Sequence, residues 1–493
     1  MKKDLSNQRI KATKFTFVFF SLLWLFLVVR NGFAMIPANT STLNINAAMQ
    51  DTVLFSKTFG QIKKSLNYPN QARRFYQMAA YRPMWIKPDT IHSDVFQGML
   101  LLDCVLQFGL NRSDFHPNEL PYDSLRALTD PATKNTASEQ LIFDIYMTDA
   151  LITLVNHLHY GKFSPTITIA VLEGKQTLKF DAAAYLFQAT GKRNFMDRLV
   201  SAQPKMRSYQ LLQDYLHLIK GQYIDDCYEF PEGEARKIAI NMERLRWINN
   251  EDDYYVQVNI PSYSLSVVKA DSVRRFKVIV GKLSTPSPEL ESQITSMTTA
   301  PEWKVPQRIF ISELLPKALK DSGFFNNNHY GLYDRSGNLI EINKHVLNHV
   351  KTNPGLYRLQ QSSGCDNAMG KIVFRFPNVF DIYLHDTPEQ KLFERADRLF
   401  SHGCVRVAEA EALAVLLLSY DGQDAKIRQL RLAMANLSKT DFKLKHTVPI
   451  KITYLTCEIS QGLFVSYPDV YHRDQPLEKL MFPGTGKVAR VQK

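Results

Sequence analysis

The stretch YYVQVNIPSYSLSVVKADSVRRFKVIVG, residues 254–281, decides the fold class of the C-terminal half. Apolar residues alternate in YYVQVNI (254–260) and again in YSLSVV (263–268), with a Pro-Ser break between the two runs. A period of two is typical of a half-buried strand, and a short break between two such runs is typical of a hairpin. RRFKVIVG (274–281) follows as a third strand. The segment therefore predicts a β-rich domain.

The β pattern continues after a long interruption. IVFRFP (372–377), IYLH (382–385) and KITYLTCEI (451–459) read as further strands, and EAEALAVLLLSY (409–420) reads as an apolar helix. The interruption covers about residues 297–366. An insertion of that length in a compact domain is usually functional, so we predict a lid over a site.

The N-terminal half has a helical pattern instead. QLIFDIYMTDALITLVNHLHYGKFSP (140–165) repeats apolar residues every three or four positions and stops at Gly161, and QLLQDYLHLIKG (210–221) repeats the scheme. We therefore predict an α+β protein: a mainly helical N-terminal domain followed by a β domain with an inserted lid. The predicted boundaries are a leader at 1–34, a spacer at 35–60, a helical domain at 61–223, a linker at 224–235, a β domain at 236–460 and a C-terminal tail at 461–493.

The first residues have the composition of a secretory signal. Five basic residues precede the apolar run FTFVFFSLLWLFLVV (15–29), and Gly32-Phe33-Ala34 offers a small-x-small cleavage site. The run is shorter than the roughly 20 residues of a membrane span. An uncleaved signal anchor stays open as the alternative. Both interpretations predict that residues 35–493 lie outside the cytoplasm.

Bulk composition excludes few functions. A chain of 493 residues predicts two or three domains, and its 45% hydrophobic and 22% charged residues are ordinary for a globular protein. The net charge of +12 fits a solvated basic surface or attraction to an anionic envelope polymer. The basic residues are scattered, and no nucleic-acid-binding signature is present, so nucleic acid is not an expected partner.

Cysteine chemistry is the main functional signal. An odd count of five cysteines leaves at least one free thiol in an oxidising compartment. Cys404 lies in SHGCVRV (401–407), and His385 ends a predicted strand nineteen residues earlier, where it can serve as a base for the thiol. The backbone amides of Gly403 and Cys404 are candidate oxyanion donors, and Arg406 is a candidate for holding a substrate carboxylate.

From spacing alone, two other interpretations of Cys404 stay open. It can be a buried structural cysteine, or it can bind zinc together with His402, although His-x-Cys is tighter than the usual ligand spacing. A papain-like peptidase is disfavoured because that class has its Cys before its His in the chain.

The segment HDTPEQKLFERADRLFSHGCVRV (385–407) closely resembles the signature of the L,D-transpeptidases, the YkuD-type cysteine enzymes of bacterial cell walls. That signature is a His, about fifteen residues, then Ser/Thr-His-Gly-Cys, a hydrophobic residue and Arg or Asn. Four further segments also resemble this family: NMERLRW, FKVIVGK, APEWKVPQRI and DNAMGKIVFRFPN. The similarity is strong over about 236–420 and weaker over about 60–222, and it points to the large periplasmic subgroup with an N-terminal helical scaffold domain and a β-sandwich catalytic domain.

The resemblance implies a role for each residue of the motif. Cys404 is the nucleophile, His385 is the general base and acid, and Gly403 with Cys404 supplies the oxyanion hole. The residues implied to shape or line the substrate cleft are Ser401, His402, Tyr383, Arg406 and Asn367. For His402 a purely structural role is an equal alternative.

The resemblance also implies the reaction. An acyl group passes from the tetrapeptide stem of peptidoglycan to Cys404 and then to the side-chain amine of another stem, which gives a 3→3 cross-link. No metal or organic cofactor is expected, carbapenems are expected to acylate the thiol, and peptidoglycan synthases are candidate partners. A silent wall-binding scaffold, an L,D-carboxypeptidase and a lipoprotein-attaching variant stay open.

The sequence departs from the family pattern in two places. The small peptidoglycan-binding domain common in large members is expected to be absent, because only about fifteen residues separate LIKG from the helix IAINMERLRWI (238–248). The loop SSGCDNAMG has Ala368 where a proline is usual, and it carries Cys365, a thiol able to trap Cys404 as a disulfide if the two lie close together.

Overall fold

The computed structural model describes residues 40–87, 90–91, 93–130, 132–133, 136–174, 178–222, 232–248, 251–270 and 272–483. The apolar run at 15–29, on which the signal prediction rests, lies outside these residues. Residues 223–231, which include most of the predicted linker, lie outside them as well.

The N-terminal half is helical, as its apolar periodicity predicts. Its helices are α1 Thr40–Ile62, α2 Pro69–Met78, α3 Ser93–Asp103, α4 Tyr122–Thr129, α5 Ala137–Tyr160, α6 Ile169–Leu172, α7 Ala182–Ala189, α8 Phe195–Val200 and α9 Arg207–Gln222. A two-stranded hairpin, β1 Ile86–Lys87 and β2 Thr90–Ile91, lies between α2 and α3.

Helix α5 is the centre of this helical domain. It starts in a capping box, in which Thr136 and Glu139 exchange side-chain and backbone hydrogen bonds, and it ends before Gly161 at φ +77°. Among the described residues α5 alone is long and apolar enough to cross a membrane by length and composition. However, 94% of its most apolar window is buried inside the protein, so it is the core helix of a globular domain.

A buried carboxylate on α5 fixes the connection between α2 and β1. Asp144 accepts hydrogen bonds from the backbone amides of Met84 (3.0 Å), Trp85 (2.7 Å) and Ile86 (3.1 Å), and from the Tyr76 hydroxyl (2.5 Å). Burial raises the pKa of Asp144, and these hydrogen bonds act in the opposite direction. The carboxylate thus provides the acceptors that buried backbone N–H groups require.

The prediction of a spacer at 35–60 was wrong for its second part. The chain is helical from Thr40, and Phe55 and Phe59 are fully buried against Tyr76 and the helical core. The Ser/Thr/Asn-rich composition before position 50 concealed the apolar pair that follows it, and burial of those two rings makes this part of α1 an element of the domain.

The C-terminal half contains fifteen strands and eight helices among its described residues. The strands are β3 Tyr254–Asn259, β4 Ser264–Lys269, β5 Ser272–Gly281, β6 Leu290–Thr299, β7 Trp303–Lys304, β8 Tyr330–Asp334, β9 Leu339–Ile340, β10 Tyr357–Gln361, β11 Ile372–Arg375, β12 Leu384–His385, β13 Leu399–Ser401, β14 Val405–Val407, β15 Thr440–Thr453, β16 Cys457–Ser460 and β17 Leu463–Ser466. The helices are α10 Glu232–Arg246, α11 Gln307–Ile309, α12 Leu315–Lys320, α13 Phe324–Asn327, α14 Lys344–Thr352, α15 Ala410–Tyr420, α16 Ile427–Ala435 and α17 Asp474–Met481.

Nine of these strands form the main sheet. Their order is β13-β5-β14-β12-β11-β6-β15-β3-β4, and β4 also pairs with β5, which closes the sheet around a shared hydrophobic core. The pairs β12–β14, β13–β5 and β15–β3 are parallel, and the others are antiparallel. The predicted α+β class, with a helical N-terminal region and a β-rich C-terminal domain, is confirmed.

The predicted insertion is a small subdomain with its own core. Its four strands are ordered β7-β10-β8-β9, and helices α11 to α14 pack beside them. Phe310, Phe325, Leu332 and Val350 are fully buried in this core. The subdomain, called the insertion below, spans residues 303–361, so the predicted start at 297 is three residues inside β6.

The prediction of a plain tail at 461–493 was also wrong for its described part. Strand β17 pairs with β16, and Leu477 and Met481 of α17 are buried against α10. An ion pair between Arg244 and Asp474 (2.6 Å) joins the same two helices. Residues up to 483 therefore belong to the folded domain.

We predict that Asp144→Ala lowers the free energy of unfolding by about 3 kcal/mol or more, because several buried donors lose their acceptor at once. Urea unfolding followed by tryptophan fluorescence measures it, since Trp85 is one of those donors. Asp123→Ala is the matched control, as that side chain is 93% exposed. An effect no larger than that of the control would contradict the role given to Asp144.

Candidate active site

The turn that carries Cys404 is fixed by a buried hydroxyl group. The Ser401 Oγ accepts a hydrogen bond from the Gly403 amide (3.1 Å) and donates one to the Cys404 carbonyl. Gly403 has φ +118°, a conformation that strains any residue with a side chain. Its carbonyl accepts a hydrogen bond from the Ser287 hydroxyl (2.7 Å). The backbone before and after the thiol is therefore held by two serines.

Parallel pairing of β12 with β14 brings the predicted site residues together. Leu384 is opposite Val405 and His385 is opposite Arg406. Side chains alternate between the two faces of a strand, and residues directly opposite each other share a face. Leu384 and Val405 are fully buried in the core. The four residues on the other face are Tyr383, His385, Cys404 and Arg406.

The Cys404 thiol is half-buried and protonated at rest. Burial raises its pKa, and this effect exceeds the opposing hydrogen bonds from the Tyr383 amide and hydroxyl and the positive charge of Arg406. The Tyr383 hydroxyl in turn accepts a hydrogen bond from Trp303, which lies on β7 of the insertion. Burial raises the pKa of Tyr383, so its phenol stays neutral and can donate to sulfur.

His385 is neutral at pH 7 and has the chemistry of a base. Burial and the nearby charge of Arg406 lower its pKa to about 4, although hydrogen bonds to the Asp386 and Met369 carbonyls raise it slightly. Nδ1 donates to the Asp386 carbonyl at 2.6 Å, which leaves Nε2 without a proton. Within the described residues no hydrogen bond joins this imidazole to the thiol, and such contacts often tighten only when substrate binds.

Asn367 holds the loop beside His385 rather than pointing into open space. It is fully buried, and its Nδ2 donates to the Ser362 carbonyl (2.7 Å). Its Oδ1 accepts from the Met369 amide (2.8 Å). The Met369 carbonyl in turn faces His385. The structure thus buries Asn367 in the loop beside the imidazole, whereas the sequence resemblance predicts a residue that lines the substrate cleft.

Two other predicted roles, carboxylate binding by Arg406 and oxyanion binding by the Gly403 amide, concern groups that already have partners in the structure. Arg406 forms an ion pair with the exposed Glu389, so a substrate carboxylate would have to replace that partner. The Gly403 amide already donates to Ser401, whereas the Cys404 amide has no acceptor among the described residues. Of the two predicted oxyanion donors, the Cys404 amide is therefore the one that is open.

His402 has its own set of contacts, which sequence reasoning missed. Its Nε2 lies 2.6 Å from Oε1 of Glu313 on the insertion and 3.3 Å from Nζ of Lys282, which directly follows β5. Trp303 and Ser287 were missed as well. These residues are separated from the motif by about 90 to 120 positions, so no local pattern could connect them with it.

The described cysteines are not paired with one another. Cys104, Cys365, Cys404 and Cys457 are free thiols, and Cys227 lies outside the described residues. Cys365 is exposed and Cys457 is buried beside Asn241. The predicted trapping of Cys404 by Cys365 is therefore not the state that the structure holds.

Comparison with known proteins gives two matches along the chain. Residues 253–427 match the YkuD family, described as the L,D-transpeptidase catalytic domain, and residues 70–216 match the Scaffold domain family. A relative from Haemophilus influenzae, described as "Putative L,D-transpeptidase", is 29% identical over 351 residues, which cover 68% of this chain and 67% of the relative. The resemblance predicted from the motif is confirmed.

Among solved structures, the chain is similar to L,D-transpeptidase 1 of Mycobacterium tuberculosis. The identity is 11% and the TM-score is 0.16, over 41% of this chain and 62% of that one. The chain therefore spans less than two thirds of that solved protein, and the TM-score is too low to compare the two folds.

We predict that Tyr383→Phe slows alkylation of Cys404 by iodoacetamide at pH 8 by about two- to tenfold, because loss of the hydroxyl raises the thiol pKa further. Peptide mass spectrometry distinguishes Cys404 from the exposed Cys365, which serves as an internal standard in the same sample. Tyr357→Phe, on the insertion, is the control. Unchanged or faster alkylation of Cys404 would contradict the predicted effect.

Proposed function

We propose that this chain, which carries a YkuD-family L,D-transpeptidase catalytic domain at residues 253–427 behind a Scaffold domain, forms 3→3 cross-links in peptidoglycan. The family acts on peptidoglycan peptide stems through a cysteine. The observation that supports the proposal most is the shared face of β12 and β14, on which His385, Cys404 and Arg406 stand together. This placement unites a nucleophile, a base and a carboxylate-binding cation.

The first half of the proposed reaction is acylation of the thiol. Sγ of Cys404 attacks the carbonyl of the L,D peptide bond that follows the diamino acid of a donor tetrapeptide stem. Its proton passes to Nε2 of His385, the nitrogen left free by the Nδ1 contact with Asp386. The Cys404 amide, which has no acceptor among the described residues, stabilises the oxyanion. His385 then returns the proton to the departing D-alanine, and a thioester remains.

The second half transfers the acyl group to an amine. The side-chain amine of an acceptor stem attacks the thioester carbon, the C–S bond breaks, and Cys404 is regenerated. Water in place of the amine gives an L,D-carboxypeptidase, and an envelope lipoprotein in place of the stem gives an attachment enzyme. These two variants use the same Cys404 and His385 and differ only in the acceptor.

A neutral thiol and a neutral imidazole suit this sequence of steps. At pH 7 the lowered pKa of His385 keeps the ring unprotonated, and the raised pKa of Cys404 keeps the proton on sulfur. The proton therefore moves when the substrate carbonyl is in position, as general-base catalysis requires. A catalytically silent wall-binding scaffold, the alternative of another class, would not need this pair.

The proposed setting is the periplasm, which follows from the predicted signal at the N-terminus. The net charge of +12 favours contact with an anionic envelope polymer, and the Scaffold domain is a candidate surface for it because a separate peptidoglycan-binding domain is not predicted. Peptidoglycan synthases that supply new strands are proposed partners.

We predict that a carbapenem adds one equivalent of mass to the reduced protein and none to Cys404→Ala. Intact mass spectrometry measures this. Cys365→Ala is the control: if the adduct formed non-specifically on the exposed Cys365, this variant would lose it, and a specific adduct on Cys404 is expected to remain. A wild-type protein without an adduct would favour the silent scaffold. Release of D-alanine from a tetrapeptide stem, with a cross-linked dimer as product, tests the reaction itself.

We predict that Arg406→Gln moves the acidic limb of the acylation rate to higher pH. The charge of Arg406 helps to hold the pKa of His385 near 4, so its removal raises that pKa and the base becomes protonated at a higher pH. The rate constant for carbapenem acylation between pH 3.5 and 7 measures the shift. Arg428→Gln, an exposed change on α16, is expected to leave the limb in place. A limb that stays near pH 4 in Arg406→Gln would contradict this assignment.

A further inference from the structure

Three side chains from separate parts of the fold meet beside the nucleophile turn. His402 belongs to the turn itself, Lys282 directly follows β5, and Glu313 comes from the insertion. Oε1 of Glu313 lies 2.6 Å from Nε2 of His402 and 3.5 Å from Nζ of Lys282, and Nζ lies 3.3 Å from Nε2. The exposed fraction of the side chain is 29% for His402, 40% for Lys282 and 38% for Glu313, so solvent and ligands can reach all three.

The short Glu313–His402 contact determines which atom carries the proton. A carboxylate oxygen at 2.6 Å from Nε2 requires a hydrogen on that nitrogen. Nε2 therefore cannot also accept a hydrogen bond from Lys282, and the ammonium of Lys282 is left with the carboxylate alone, at a long 3.5 Å. Glu313 thus holds the flexible Lys282 side chain only weakly, because its stronger partner is His402.

Glu313 is an ionised carboxylate at neutral pH. Burial opposes ionisation, but the hydrogen bond from His402, together with Lys282, lowers the pKa of Glu313 overall. It stands on a π-helical turn, Phe310–Leu314, whose two end residues are buried in the insertion core. Such turns are rare, and they are frequent at functional sites.

The Glu313–His402 pair adjoins the turn that carries Cys404. One residue separates His402 from Cys404, so their Cα atoms are at most about 7.6 Å apart. Pairing of Ser401 with Gly281, and the hydrogen bond from the Lys282 amide to the Ser401 carbonyl (3.0 Å), hold Lys282 beside the turn. His385 lies on β12, whereas His402 directly follows β13.

We propose that Glu313 and His402 form the binding site for the acceptor's primary ammonium, and that Lys282 occupies this site in the resting enzyme. The inference rests on the proposed function and identifies the specificity site for its second substrate. The side-chain amine of a diamino acid is the same chemical group as the lysine ammonium, so Lys282 marks where such a group fits.

The proposed step conserves atoms and charge. The bound ammonium gives one proton to the His402–Glu313 pair, and the resulting amine attacks the thioester carbon. A C–N bond forms and the C–S bond breaks, with the electron pair leaving on sulfur. The second proton of the nitrogen passes to that thiolate, which restores the Cys404 thiol, and the pair releases its proton to solvent.

The experiment measures acceptor use by the purified full chain. A tetrapeptide stem is the donor, and a tripeptide stem with a free diamino-acid side chain is the acceptor. Mass spectrometry gives the ratio of cross-linked to hydrolysed product as the acceptor concentration rises, and carbapenem acylation measures the first half-reaction separately. The variants are Glu313→Gln and Lys282→Gln. Glu341→Gln is the matched control, because Glu341 lies exposed on the same insertion.

The two variants are expected to shift in opposite directions. Glu313→Gln raises the acceptor KM at least about tenfold, the effect of losing a charge-assisted hydrogen bond, without changing the acylation rate. Lys282→Gln lowers the acceptor KM, because the internal competitor is gone, and Glu341→Gln changes neither quantity. These results would support the proposal.

Three results would overturn it. If both variants raise the acceptor KM, the three side chains only hold the insertion in place. If Glu313→Gln leaves the acceptor KM unchanged, the ammonium binds elsewhere. If Glu313→Gln slows carbapenem acylation as much as cross-linking, the carboxylate serves the first half-reaction. A wild-type chain that no carbapenem acylates would instead remove the proposed function, and this inference with it.

Discussion

The site depends on the register of two short parallel strands. β12 and β14 are joined through Leu384 opposite Val405 and His385 opposite Arg406, with the Val405 amide donating to the Tyr383 carbonyl at 3.2 Å. A slip of one residue would turn the thiol and the imidazole toward opposite faces. Leu384 and Val405 prevent that slip because both are fully buried in the sheet core. The hydrophobic effect on one face therefore sets the placement of the candidate site residues on the other.

The same burial sets the protonation state of the reacting pair. Burial penalises charged forms, so it raises the pKa of the Cys404 thiol and lowers that of His385, and both groups are neutral at rest. A protonated thiol is a poor target for oxidants, since the thiolate is the reactive species. This protects a nucleophile that is proposed to work in an oxidising compartment. The exposed Cys365 has no such shelter.

The sequence predicted the elements and the thiol site that have a local pattern, and it missed the contacts between residues that are far apart in the chain. Strands such as RRFKVIVG and the helix around Leu151 have clear periods, and the spacing from His385 to Cys404 identified the thiol site. By contrast, β6 and the first part of β15 mix polar and apolar residues, and only some positions of each are buried, so their sequences show no clear strand period. The apolar pair in α1 escaped notice behind a polar segment. Trp303, Glu313 and Lys282 approach the turn only after folding, so no spacing rule could find them.

The insertion reaches the nucleophile by two separate routes. Trp303 donates to the Tyr383 hydroxyl, which in turn faces the thiol, and Glu313 contacts His402 at the start of the turn. Because the insertion has its own buried core, these two residues keep a fixed distance from one another, and any displacement of the subdomain changes both contacts together. Thiol acidity, through Tyr383, and the acidic pair beside the turn are thus linked by one rigid element. In the proposed acyl transfer, donor and acceptor chemistry at Cys404 would then respond to the same subdomain.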